Sequence, residues 1–248
     1  MGAPATKLAV AGTMILETRG LMKTYGGVAA LQGVDFALKT GELHCIIGPN
    51  GAGKSTFFKL LMGIERPSAG QIVFKGRDIT RLQAHERARL GITVKFQSMR
   101  VYQDLPVYHN LFIPLRRHHR AREIPAVVER LLADVHLSGT GEEYVRNLSH
   151  GQQQWLAIAM AVAAEPEVLL LDEPTAGMSA EETTATARIV KRLNGQGTSI
   201  IVIEHDMAFI RDLDSMTSVL HYGALFAQGA FKDIEASVEV QRIYLGTL

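Results

Sequence analysis

Two short stretches carry residues whose types and spacing suit phosphate chemistry. Gly48-Pro49-Asn50-Gly51-Ala52-Gly53-Lys54-Ser55 follows the pattern G-x-x-x-x-G-K-[ST]. Its glycines admit backbone angles that turn successive N–H groups to one side, making a nest for an anion. A helix starting there points its positive end at the same spot. Lys54 adds a mobile point charge for terminal phosphates, and Ser55 offers a hydroxyl to Mg²⁺. The bland alternative is a glycine-rich turn with an accidental Lys-Ser. Context speaks against it: the apolar run LHCII precedes the loop and STFFKLLM follows. The second stretch is Val168-Leu169-Leu170-Leu171-Asp172-Glu173. Four apolar residues bury a strand and two carboxylates emerge at its carboxyl end, where open α/β sheets bind ligands. Asp172 suits a Mg²⁺ shell. Glu173, one residue on, points elsewhere and suits orienting or deprotonating a water. Alone, the pair would serve equally well as a helix N-cap; beside a phosphate loop, the chemical reading is favoured.

The elements that must position these groups are legible in outline. Residues 14–19 and 34–38 alternate or are rich in β-formers, with Gly26-Gly27 and Gly41 as turn punctuation. Strand patterns recur at 43–47, 72–74, 92–96, 168–171 and 199–203, and helical patterns at 54–62, 81–90, 180–193 and 206–213. Residues 217–220 and 224–227 flank Tyr222-Gly223 as a hairpin, and a helical tail follows. Between about Asn110 and Ala164 strand signals vanish; Val127, Val128, Leu131 and Leu132 form a helical apolar stripe. The basic run at 116–122 (RRHHRAR) reads as a solvated helix face. Strand–helix alternation at both ends implies an α/β fold with a mostly parallel sheet, and the helical middle reads as an inserted lobe.

Composition narrows the class. The chain has 248 residues, 47% hydrophobic and 21% charged, which suits one large globular domain and not a disordered one. A net charge of +1 does not fit a free-standing nucleic-acid binder. The one cysteine, Cys45, cannot pair within the chain, so a reducing compartment is the default; on a buried strand it reads as a small core residue. No apolar run reaches the ~20 residues of a membrane span. The start, MGAPATKLAVAGT, lacks a signal-peptide core. It matches the loose myristoylation pattern through Gly2 and Thr6, but reads more simply as a flexible tail over residues 1–13.

Further motifs fall in order around the two acidic and glycine-rich stretches. They are Tyr25; Gln97 after TVKF; Leu148-Ser149-His150-Gly151-Gln152; Ala176-Gly177-Met178-Ser179; and His205 after SIIVIE. Singly each has a plain reading. Ser149 is a natural N-cap for QQQWLAIAMAVAA, Gln97 a surface glutamine, His205 a strand-end residue beside a capping Asp206, and Tyr25 a strand aromatic. As an ordered set covering residues 14–248, they resemble the nucleotide-binding subunit of ATP-binding cassette transporters.

That resemblance implies a P-loop NTPase fold with a mixed RecA-like core sheet, an N-terminal antiparallel β-subdomain and an α-helical subdomain inserted at about residues 98–164. It implies ATP hydrolysis with Mg²⁺. ATP would lie on Tyr25, whose ring stacks on adenine, and on Gly48, Pro49, Asn50, Gly51, Ala52, Gly53, Lys54, Ser55 and Thr56. The metal would be held by Ser55, Gln97 and Asp172, and Glu173 and His205 would be catalytic. Leu148, Ser149, His150, Gly151 and Gln152 would form the signature motif, which meets the γ-phosphate held by an opposite subunit. One chain then carries two half-sites that cannot meet each other, so the resemblance implies a dimer. Two departures stand out: His150 where the signature usually has glycine, and Ser179 where the D-loop commonly has Asp.

LSHGQ, AGM, EHDM and a tail at Ile243-Tyr244-Leu245-Gly246 resemble the ATPases of branched-chain amino acid and urea uptake systems, the first of the two ATPases in particular. The implied partners are a second, paralogous ATPase, two transmembrane permeases and, indirectly, a periplasmic solute-binding protein. The implied place is the cytoplasmic face of the cell membrane. Residues 101–115 mix apolar and aromatic side chains that suit both lobe core and permease docking. Among cassette proteins a lipopolysaccharide-export ATPase is the nearest alternative. A DNA-repair cassette would insert long coiled coils, and a translation factor would carry two cassettes.

Overall fold

The computed structural model describes residues 12–97 and 100–245. The N-terminal stretch with Gly2 and Thr6 lies outside them. Thr13, the last residue of the expected tail, is tied to the body: its carbonyl accepts from the Thr40 N–H at 2.9 Å and the Thr40 hydroxyl at 3.1 Å.

Strands β1 (Met14–Tyr25), β2 (Val28–Lys39), β4 (Ala69–Phe74) and β5 (Arg77–Asp78) form an antiparallel sheet in the order β2-β1-β4-β5. β1 runs past residue 19, where the sequence pattern breaks at Gly20. The strand takes an irregular register between Thr18 and Leu21, and Gly20, at φ 53°, donates its N–H to Asp35 Oδ1 at 2.6 Å. The second sheet has six strands in the order β10-β9-β3-β8-β7-β6: β3 (Leu43–Ile47), β6 (Ile92–Lys95), β7 (Val168–Asp172), β8 (Ser199–Ile203), β9 (Met216–His221) and β10 (Ala224–Ala230). All its pairings are parallel except β9–β10, the expected hairpin.

Strand parity sorts the core into two. Ile46, Val168, Leu170, Ile201 and Ile203 face the antiparallel sheet and helix α1 (Lys54–Met62). Ile47, Leu169, Leu171, Ile200 and Val202 face the other way, toward the helices of residues 107–162 and those that follow β7. Successive side chains on a strand point to opposite faces, so a continuous apolar run is what a sheet covered on both sides requires.

Helix α2 (Ala84–Leu90) begins three residues later than its charge pattern implies, because Gln83 and Glu86 form a capping box. The inserted lobe holds α3 (Val107–Leu115), α4 (Ile124–Asp134) and α5 (His150–Val162), between β6 and β7. The basic run at 116–122 is a turn segment between α3 and α4, not a helix face. Pro114 lacks an N–H near the end of α3, and Pro125 opens α4, so the run falls between a stop and a start. After β7 come α6 (Ala180–Gly195), α7 (Met207–Leu213) and, closing the described chain, α8 (Phe231–Ala236) and α9 (Val238–Leu245). No helix among the described residues is long and apolar enough to cross a membrane.

Candidate functional site

The parallel strands β3, β6, β7 and β8 end on one edge of the sheet. Register places Lys95 beside Leu171, Asp172 beside Ile203, and Ile46 beside Ile203. The phosphate loop, Gln97, Asp172-Glu173 and His205 therefore leave the sheet from the same carboxyl edge.

The loop is braced from behind. Gly48 (φ 150°), Gly51 (φ 81°) and Gly53 (φ 102°) take backbone angles that side-chain-bearing residues rarely adopt. A methyl group at Gly48 would overlap the Leu220 carbonyl, and one at Gly53 would sit 2.6 Å from the Ala30 carbonyl oxygen. The β9–β10 turn holds the loop as well: Gly223 N–H donates to the Ala52 carbonyl at 3.0 Å. Gly53 caps α1 without any side-chain hydrogen bond, so the helix's leading N–H groups, Ser55 and Thr56 included, are not taken by a cap. Lys54 Nζ curls back to the Gly48 carbonyl at 2.5 Å and the Pro49 carbonyl at 3.0 Å. Burial pushes the Lys54 pKa down, against the opposing pull of Glu173 and Asp172.

Around the end of β7 the carboxylates have distinct settings. Burial, and next the charge of Glu173, raise the pKa of Asp172. Glu173 sits at φ 44°, anchored by its N–H to the Ile203 carbonyl at 3.0 Å. Gln97 Nε2 donates to its Oε2 at 2.5 Å, and His205 Nδ1 stands 3.7 Å from its Oε1. One carboxylate thus collects the two polar residues that follow β6 and β8. Asp172 and Glu173 do not cap a helix: α6 begins at its own N-cap, Ser179, which accepts from Glu182 N–H.

Two groups here escaped the sequence reading. Lys95 is 2% exposed on β6 and donates to the Glu173 carbonyl at 3.2 Å. Burial lowers its pKa to about 8, opposed by Asp172, Glu204 and Glu173. Glu204, 1% exposed, accepts at Oε1 from Thr175 N (3.0 Å) and Thr175 Oγ1 (2.5 Å), and at Oε2 from His205 N (2.9 Å) and Asp206 N (3.4 Å). A charged residue at the end of each apolar run, TVK and SIIVIE, was the available signal.

The signature residues sit elsewhere. Ser149 caps α5, accepting from Gln152 N at 3.2 Å while the Gln152 side chain accepts from Ser149 N at 2.9 Å. Leu148 is buried in the lobe core. Gly151 packs so closely on Glu182 that a methyl group there would overlap its carboxylate. His150 Nε2 lies 3.0 Å from the Ala176 carbonyl oxygen, so this turn bonds to the segment that follows Glu173. Tyr25, at the end of β1, is 41% exposed and carries the Lys23 ammonium 4.7 Å from its ring centre.

The arrangement fits a magnesium nucleotide. Ser55, Gln97 and Asp172 are oxygen donors, the kind Mg²⁺ takes together with phosphate oxygens and water. Among the described residues no group of three or more His, Cys, Asp or Glu makes a metal cage of its own.

Comparison with known proteins points to one family. The family described as "ABC transporter" matches residues 31–176. The high-affinity branched-chain amino acid transport ATP-binding protein BraF of Pseudomonas aeruginosa is 31% identical over 249 residues, covering 94% of this chain and 98% of BraF. The methionine import ATP-binding protein MetN of Leifsonia xyli is 35% identical over 242 residues, covering 94% of this chain and 71% of MetN. The dimeric post-hydrolysis structure of the ATP-binding cassette MJ0796, bound to ADP and Pi, matches with a TM-score of 0.78 at 25% identity, over 88% of this chain and 99% of that one.

Proposed function

The chain belongs to the ABC transporter family of ATP-binding subunits, and from that premise we propose that it powers uptake of branched-chain amino acids or a related small polar solute such as urea. It works as one half of a cassette dimer with a paralogous ATPase, docked on two permeases at the cytoplasmic face of the membrane. A solute-binding protein delivers the cargo on the far side. The match to BraF along 98% of that protein, against 71% of MetN, supports the branched-chain reading over the methionine one despite the lower identity.

The observation that carries the catalytic reading is the convergence of Gln97 and His205 on the one Glu173 carboxylate, at the sheet edge that also presents the phosphate loop. In this reading the loop N–H groups and Lys54 bind the phosphates, Lys54 exchanging its two loop carbonyls for phosphate oxygens. Ser55, Asp172 and Gln97 hold Mg²⁺, which when bound offsets charge on the transferring phosphoryl group. Glu173 takes the proton of the attacking water, and His205 beside it keeps that water in place. Ser149 and its neighbours close over the nucleotide of the opposite subunit, so ATP holds the dimer shut and hydrolysis releases it. Co-purification with the membrane partners tests the assignment. Stimulation of ATP hydrolysis by leucine, isoleucine, valine or urea through the binding protein is the expected result; stimulation by an unrelated solute alone would replace the cargo.

A further inference from the structure

His150 stands where the signature motif ordinarily has no side chain, and its imidazole is spent within its own subunit. Nε2 meets the Ala176 carbonyl oxygen at 3.0 Å, and a methyl group on Gly177 would come within 3.0 Å of the same nitrogen. The tautomer protonated at Nε2 donates this bond. Gln154, buried one helical turn further along α5, lies 3.4 Å from that nitrogen.

The segment His150 grips is stiff. The Ala176 N–H donates to the Glu173 carbonyl at 3.3 Å and the Met178 N–H to the Thr175 carbonyl at 3.0 Å, so residues 173–178 form two interlocked turns. Lys95 holds the Glu173 carbonyl as well, at 3.2 Å. On its other side the segment is clamped by Glu204, whose buried carboxylate takes the amide and hydroxyl of Thr175 with one oxygen and the amides of His205 and Asp206 with the other. A chain of direct hydrogen bonds and one short rigid turn therefore runs from the signature turn through His150, Ala176, Thr175 and Glu204 to the backbone of His205, with Glu173 on the same turn. Other ties of α5 bypass this turn: Trp155 Nε1 to Thr186 Oγ1 at 2.8 Å and Gly151 against Glu182 fasten it to α6, and the Thr93 hydroxyl, donating to the Ala161 carbonyl at 3.3 Å, fastens it to β6.

We propose that His150 is a latch that joins the signature turn to the 173–178 turn of its own chain, so that engagement of the signature by nucleotide sets the placement of Glu173 and His205 in the same subunit. His150 and Glu204 are positioning residues in this scheme. It rests on the reading that the signature meets the opposite subunit's nucleotide.

Hydrogen exchange on the full chain without nucleotide isolates the latch from any contact with ATP. His150→Ala should speed exchange of the amides at 204–206, which His150 does not touch, by about fivefold, the factor expected for losing one ordinary hydrogen bond. His150→Gln, whose amide can still donate to the Ala176 carbonyl, should restore protection. In the assembled transporter, His150→Ala should lower kcat while KM for ATP stays within about twofold, the split of an interaction made after binding. Unchanged exchange at 204–206 in His150→Ala, or exchange in His150→Gln as fast as in His150→Ala, overturns the latch. A wild-type assembly without ATPase activity would remove the functional reading while leaving the exchange result to stand by itself.

Discussion

Replacing Glu173 by glutamine removes one negative charge and little else. The side chain keeps its shape, and the backbone anchor to the Ile203 carbonyl at 3.0 Å does not involve it. The new amide can present its oxygen to Gln97 Nε2, so Gln97 keeps donating there. Glu173 also adds to the upward pKa shift of Asp172, so its neutralisation leaves Asp172 more readily ionised and nucleotide binding intact. What is lost is the base. General-base catalysis contributes about 10²–10⁴-fold, or roughly 2.7–5.4 kcal/mol at about 1.36 kcal/mol per decade. The surroundings place the loss in the upper half of that range, because neither neighbouring carboxylate can substitute. Both oxygens of Glu204 are committed to four donors, and Asp172 faces the metal in the proposed scheme. Turnover in the assembled transporter should fall about 10³-fold, roughly 4 kcal/mol, while calorimetry finds ATP affinity unchanged or tighter and ATP-loaded subunits elute as a dimer. A kcat within about threefold of wild type would show that another group takes the proton and would end the assignment of Glu173 as base.

Lys54→Ala should weaken ATP binding by at least about tenfold, as expected for loss of a charge-assisted contact to phosphate; equal affinities by calorimetry would remove Lys54 from the cradle. Lys95 gives a pH signature. Its pKa is depressed to about 8 in the folded protein, against about 10.4 unfolded, so between those values the unfolded chain binds the extra proton and folding gains as pH rises. Chemical denaturation of wild type against Lys95→Met should therefore shift in favour of wild type by about 2 kcal/mol from pH 8 to pH 10, and a pH-independent difference would contradict the depressed pKa. Arg87, 1% exposed, donates to the carbonyls of Leu60, Leu61, Leu82 and Thr80 and so closes the far end of α1. Arg87→Ala should cost about 3–5 kcal/mol by taking a donor from these buried carbonyls, of which Leu60 keeps the Gly63 N–H, read as a lower midpoint in urea; a loss below about 1 kcal/mol would mean that water reaches them.

How far the sequence carries depends on the reach of each interaction. The phosphate loop and the Asp172-Glu173 pair are legible because their chemistry is written in consecutive residues and a strand run of fixed parity. The shared edge follows from the register of four parallel strands, which apolar runs alone do not order. Lys95 and Glu204 were visible as charges closing apolar runs, but their meaning is set by partners 78 and 29 residues away, the Glu173 carbonyl and Thr175. The basic run at 116–122 misled because charge composition suits an exposed helix and an exposed turn alike, and only the paired prolines at 114 and 125 decide between them.

His150 marks the limit of motif reading. As a letter in LSHGQ it is a departure from a pattern. In the folded chain it is the first residue of α5, next to Gly151, which packs against Glu182. The imidazole then reaches a carbonyl 26 residues away on the turn that bears Glu173. A glycine at 150 would remove the hydrogen bond from the start of α5 to this turn, and the proposed catalytic turn would depend more on Lys95 and Glu204 for its placement. The same substitution that weakens the motif as a pattern thus adds a constraint to the fold. Its consequence belongs to coupling between half-sites more than to the affinity of either, because the bond exists within one subunit before any nucleotide is shared.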